Sequence, residues 1–253
     1  MMLPLWVQAG GWGLLSGSAL LLGAFVGYAA PLPQRLIAAV MAFGAGVLIS
    51  ALAFELMDKA VQRGGFAATA AGFLGGASIY TAANLYLIWR GAHHRKHSHG
   101  KQASEAEQAG SGLALALGAL LDGIPESIVI GVSLIEGGAV SVVTVAAVFL
   151  SNIPEGLSSA AGMKKAGRST LYIFSLWGGI ALISGLASML GYLLFSHFPD
   201  SVIAATTAVA AGAILTMLVD TMIPEAFEQS HAFAGLITVV GFLCAFALSK
   251  LGG

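Results

Sequence analysis

Hydrophobic positions along the chain fall into eight long runs rather than short alternating ones. Their approximate limits are Val7–Ala29, Gln34–Met57, Phe66–Trp89, Gly112–Ile135, Val140–Met163, Leu171–Phe195, Val202–Ile223 and Phe233–Leu248. Each run is close to the ~20 residues that an α-helix needs to cross about 30 Å of hydrocarbon. The runs are broken by Pro31-Leu32-Pro33, by Arg63-Gly64-Gly65, by a polar stretch over 90–111, by Glu136-Gly137-Gly138, by 164–169, by Pro199-Asp200 and by 225–231. No ten-residue alternation of the kind that builds a membrane barrel occurs. The pattern predicts an all-α polytopic membrane protein with eight transmembrane helices, forming one domain over residues 1–253.

Composition narrows this further. Hydrophobic residues make up 57% of the 253 and charged residues only 9%, against roughly 25% charged in a soluble domain. Mean hydropathy is +0.88. The single Cys244 excludes an intramolecular disulfide and a cysteine-based metal cluster. A net charge of −1 excludes the basic footprint of a nucleic-acid binder. The first run lacks a basic leader region, so no cleavable signal is expected. The aromatics, Trp6, Trp12, Trp89 and Trp177 among them, read mostly as interface anchors.

The positive-inside rule sets an orientation. With the N-terminus outside, the inner loops hold Arg35, Arg90, Arg95, Lys96, Lys101, Lys164, Lys165 and Arg168, and the outer side holds only Lys59, Arg63 and Lys250. Both termini are therefore expected outside, with the 90–111 loop cytoplasmic. The short chain points to a prokaryotic plasma membrane. A faint internal repeat relates Ala45-Gly46 and Ser50 of the second run to Ala211-Gly212 and Thr216 of the seventh, at constant offset. Inverted repeats are a mark of secondary transporters.

A few acids fall inside the runs. Asp122 and Glu126 lie mid-way along the fourth, and Glu155 mid-way along the fifth. Each acid at a helix centre costs ~3 kcal/mol on insertion scales, so three unpaired acids would cost ~9 kcal/mol. No Lys or Arg lies mid-run to pair with them, so protons or a bound cation must neutralise them. Asp122 and Glu126 are i,i+4; Asn152 and Glu155 are i,i+3; each pair therefore shares one helix face. Pro125 and Pro154 sit within these pairs and free the carbonyls of Leu121 and Leu150. Carboxylates, an amide oxygen and freed carbonyls make an oxygen-rich cage for a cation.

Secondary candidates lie nearer the loops. A further Ile223-Pro224-Glu225 follows Asp220 and precedes Glu228 and His231. The stretch His93-His94-Arg95-Lys96-His97-Ser98-His99 carries four imidazoles, which suit zinc, copper and nickel. It is expected to be flexible and to meet metal transiently. Asp220, Glu225, His93, His94, His97 and His99 thus form an exit-side candidate group. Glu55 and Asp58 stand near the outer end of the second run, where they could draw in cations.

Eight runs, a His-rich loop after the third, and Gly123-Ile-Pro125-Glu126 and Ser151-Asn152-Ile-Pro154-Glu155-Gly156-Leu157 on the fourth and fifth resemble the ZIP (Zrt/Irt-like) divalent metal transporters. The resemblance implies uptake of zinc, iron, manganese or cadmium into the cytoplasm, inverted three-helix repeats flanking helices 4 and 5, a central metal site and a homodimer. Where the family commonly has His-Asn ahead of Pro-Glu, this chain has Asp122 and Gly123. It has Asn152 where Asp is frequent, and the sixth run lacks the acid many members carry. One metal held by Asp122, Glu126, Asn152 and Glu155 is expected, at a harder site less selective for zinc.

No cofactor is expected, and the metal is substrate. An enzyme is not expected: His-Glu-x-x-His is absent, and all six His lie in loops or at run ends. Two other readings remain open at this point: a carrier of another solute that relays protons through the same acids, and a metal receptor that transports nothing.

Overall fold

The computed structural model describes residues 3–92, 94–98, 102, 104, 106–108, 110–135 and 140–251. All regular structure among them is helical. The helices are α1 (Leu5–Ala29), α2 (Gln34–Ala51), α3 (Asp58–Leu87), α4 (Ser111–Ser133), α5 (Val142–Lys165), α6 (Thr170–Phe195), α7 (Asp200–Met217), α8 (Ile223–Ser230) and α9 (Ala234–Leu251). Three π-helical segments extend them, at Leu52–Met57, Ile88–Ala92 and Leu218–Met222. Glu55 and Asp220 both lie in such segments, where the wider helical turn is often tied to function.

Among the described residues, six helical stretches are long and apolar enough to cross a membrane, and Ala234–Lys250 is a shorter apolar helix. One of the six, Gln34–Ala92, runs for 59 residues. At 1.5 Å per residue a straight helix of that length would reach about 90 Å, three times the thickness of the hydrocarbon. It is not straight. Gly65 sits inside it at φ 73°, a left-handed conformation that only glycine adopts without strain. The break expected at Arg63-Gly64-Gly65 therefore falls where two helices meet, at the non-helical Gly65.

The helices sort into two groups. In one, α1 packs against α4, α5 and α6; in the other, α3 packs against α7, and α2 against α9. Contacts of α2 with α5 and of α4 with α7 join the groups. Each group has its own apolar centre. One gathers Leu20, Ala119, Ile173, Trp177 and Ile180, and the other Met41, Tyr80, Val129, Met217 and Met222. α4 contributes to both, so its polar residues lie at the seam. Trp177 is a correction: it is buried at 1% exposure and fills the first centre rather than anchoring an interface. Trp89, at 73% exposure, fits the anchor reading.

In lipid, apolar surface alone does not drive helices together, so close backbone approach matters. A Cβ at Gly46 would run into the Thr238 carbonyl oxygen, which shows how tightly α2 lies on α9.

The two ends of the molecule differ in chemistry. At one end Arg63 pairs with Asp200 at 3.6 Å, and Glu55 accepts hydrogen bonds from Ser249 (2.7 Å) and Ser141 (3.2 Å). At the other, Lys165 and Glu225 hold Ser98 of the loop after α3, and Arg168 donates to Ser111.

Candidate functional site

α4 and α5 run unbroken through Pro125 and Pro154. Asp122, Glu126, Asn152 and Glu155 are all buried, at 1%, 2%, 4% and 4% exposure. The helical spacing therefore does bring the two polar pairs into the interior. Asn152 donates its amide Nδ2 to the Ser16 carbonyl of α1 at 2.9 Å, leaving its Oδ1 as the ligating atom it can offer.

The acids do not face one another alone, and this overturns the expectation that no Lys or Arg pairs with them. The segment 94–98 folds inward. Arg95 and Lys96 are buried and pair with the acids. Arg95 donates from Nε and Nη2 to both oxygens of Asp122 at 3.0 and 2.9 Å. Its remaining nitrogen reaches Asn84 at 2.8 Å, and Nη2 also reaches the Tyr80 hydroxyl at 2.7 Å. Tyr80 in turn donates to Asp122 Oδ1 at 2.5 Å, and Asn84 donates to Asp220 at 3.1 Å. Lys96 Nζ stands 3.3 Å from Asp122 and 2.9 Å from Glu155. Burial works against charge on Arg95, but the Asp122 carboxylate outweighs it and holds the guanidinium pKa above its ordinary value.

Glu126 is different. Its Oε1 is buried with no hydrogen-bond partner among the described residues, and the carboxyl experiences the charges of Glu155 and Lys96. A buried carboxylate oxygen without a donor is costly and is retained where something else supplies the positive charge.

The segment 94–98 is fastened by polar bonds. Ser158 and Ser159 of α5 donate to the carbonyls of Lys96 (2.6 Å) and Arg95 (2.7 Å). Gln102 donates to the carbonyls of Arg95 and His97, both at 3.0 Å. Lys165 donates to the Ser98 carbonyl at 2.8 Å, and the Ser98 N–H donates to Glu225 Oε1 at 2.9 Å. Two glycines make room. A Cβ at Gly118, one turn before Asp122, would come 2.6 Å from Arg95 Cδ, and a Cβ at Gly162 would strike the His97 carbonyl.

The exit-side candidates are partly gathered. His97 Nδ1 lies 3.0 Å from Glu225 and 3.2 Å from Glu228. These three are the group of His, Cys, Asp or Glu whose ligand atoms lie within 4.8 Å of one another among the described residues. His94 meets His97 edge to face with ring centroids 4.5 Å apart. His94, Arg95, His97, Asp220 and Glu228 border a cavity of about 760 Å³ between α3, the Leu218–Met222 segment and α8. Asp220 lies on its wall but outside the three-residue cluster. His93 and His99 lie outside the described residues.

Sequence reasoning missed Arg95, Lys96, Tyr80 and Asn84. A signal existed. Three buried acids demand counter-charges, and one basic pair, Arg95-Lys96, lies on the loop that precedes α4, with glycines one turn from Asp122 and two turns from Glu155. Compared with family models and with characterised proteins, the chain matches none.

Proposed function

We propose that this chain is a membrane transporter of divalent metal cations, with zinc as the first candidate and iron, manganese and cadmium behind it. The observation that carries the reading is Glu126, a carboxylate 2% exposed whose Oε1 has no hydrogen-bond donor among the described residues, set near a second buried acid, Glu155. Carboxylate pairs of this kind are rare in apolar helices and belong to ion or proton paths. Asn152 and Glu155 supply further oxygens, which suit hard or borderline divalent ions. The His97, Glu225, Glu228 cluster and the cavity beside it give a second set of ligands on the side from which the loop enters.

The architecture that goes with this reading has eight crossings. The kink at Gly65 divides Gln34–Ala92 into two, and Ala234–Leu251 is the eighth. The loop end, rich in Arg and Lys, is cytoplasmic and both termini are outside. The π-helical segments beginning at Leu52 and Leu218 stand at the same offset as Ala45 and Ala211. That supports an inverted repeat, and with it alternating access by rocking of the two helix groups. The resemblance to ZIP transporters fits the same picture, and a plasma-membrane location and a homodimer come with it.

The test is flux. Purified protein in liposomes containing a fluorescent chelator should admit zinc, cadmium or manganese above empty liposomes, and Glu126→Gln with Glu155→Gln should abolish entry. Entry that survives in the double variant refutes the site. The Lys96–Glu155 pair favours one rival, a proton relay serving another solute. Absence of metal entry from folded protein would turn the reading to that carrier or to a metal receptor.

A further inference from the structure

We propose that Arg95 and Lys96 are a tethered competitor for the cation site: seated, the segment 95–98 delivers to Asp122 and Glu155 the charge of one divalent ion and seals the site from the adjoining cavity. The inference rests on the metal reading and adds its regulation.

Charge is the first argument. Fully ionised, Asp122, Glu126 and Glu155 carry three negative charges, and the two loop cations carry two positive ones. Arg95 occupies both oxygens of Asp122, and Lys96 holds one oxygen of Glu155 at 2.9 Å. A divalent ion bound by the same carboxylates would meet these cations at contact distance in a low-dielectric interior, where like charges repel strongly. Metal and seated loop therefore exclude one another.

Geometry is the second. Arg95 has the acids on one side, and on the other it borders the cavity with Asn84 and Asp220. An ion leaving toward that cavity must pass the guanidinium.

The third argument is how the loop is held. Apart from the ion pairs of Arg95 and Lys96, its fastenings are serine, glutamine and lysine bonds to backbone carbonyls, bonds from Ser98 to Gln34 and Glu225, and the contacts of His97 with Glu225 and Glu228. Water can replace the hydrogen bonds and a bound divalent ion the two cations, so the segment can lift and reseat without unpacking an apolar core. The close fit at Gly162 provides a lever. A Cβ there collides with the His97 carbonyl and pushes the segment off without altering an acid or a cation.

Two readouts test this on the full chain. In a Cys244→Ser background, Ser158→Cys sits beneath the Lys96 carbonyl. Its labelling by a water-soluble maleimide, with no metal present, should rise at least tenfold when Gly162→Ala or Lys96→Met is added. Equilibrium dialysis with Zn²⁺ on the Cys244→Ser chain should show binding that Glu126→Gln with Glu155→Gln removes and that Lys96→Met tightens at least tenfold. Circular dichroism and size-exclusion profiles identify any variant that has not folded, and the two variants reach the loop by independent routes. Unchanged labelling in both folded variants overturns the seated loop. Raised labelling with Zn²⁺ affinity unchanged or weakened overturns the competition alone. Raised labelling with no Zn²⁺ bound by any chain overturns the metal reading and the competition with it.

Discussion

Arg95 and Asp122 should be coupled far more strongly than ordinary polar contacts between membrane helices. The perturbation is a double-mutant cycle of Arg95→Met and Asp122→Asn. Arg95 is 3% exposed and Asp122 1%, and two charge-assisted bonds at 2.9 and 3.0 Å join them. Removing one member of such a buried pair strands the other, a loss of ~3–5 kcal/mol. A hydrogen bond to a charged group contributes ~1.5–3 kcal/mol. Either single change therefore costs ~3–5 kcal/mol, and the double change costs well under the sum, because the second removal strands nothing. The coupling energy should be at least ~2 kcal/mol, against ~0.6 kcal/mol for a typical hydrogen bond between membrane helices. Reversible unfolding in mixed detergent micelles, followed by helical circular dichroism, gives the four stabilities. Additivity within ~0.5 kcal/mol would show that the segment 94–98 does not hold Arg95 against α4, and the account of a filled site would fail.

Other consequences are simpler to read. Tyr80→Phe removes one donor to Asp122 and one acceptor for Arg95, and should lower stability by ~1–3 kcal/mol in the same unfolding assay. Gly46→Ala should cost ~1–3 kcal/mol by forcing α2 from Thr238 of α9. Gly178→Ala, where a Cβ meets nothing within 4 Å, should be neutral or stabilise by up to ~1 kcal/mol; equal losses in the two glycine variants would contradict the packing. His97→Ala should remove one Zn²⁺ equivalent in equilibrium dialysis if His97, Glu225 and Glu228 bind metal; unchanged stoichiometry refutes that cluster. In a Cys244→Ser background, an impermeant maleimide on intact cells should label Lys59→Cys and spare Lys164→Cys; the reverse pattern would invert the orientation.

The linear pattern determined much of the fold, because membrane helices are written locally. Runs of apolar residues near 20 long must be helical where no water can satisfy the backbone, and most observed helices fall within a few residues of the predicted limits, although α3 begins at Asp58 rather than Phe66 and α7 ends at Met217 rather than Ile223. The i,i+4 and i,i+3 spacings likewise bring Asp122, Glu126, Asn152 and Glu155 into the interior, since a helix fixes which residues share a face. The packing decided the remainder. Whether Gly65 makes a loop or a kink depends on the helices around it. Trp177 looks like any interfacial tryptophan until α6 is laid against α1 and α4.

Above all, the partners of the acids are remote in sequence. Asp122 is 27 residues from Arg95 and 42 from Tyr80, and Glu225 is 127 residues from Ser98. Nothing in a polar loop says which way it will fold. Its direction is set by the free energy of burying three carboxylates, which is lowered when two cations can be carried in to meet them, and by the glycines that leave them room. The sequence supplied the charges, and only the tertiary structure brought them together.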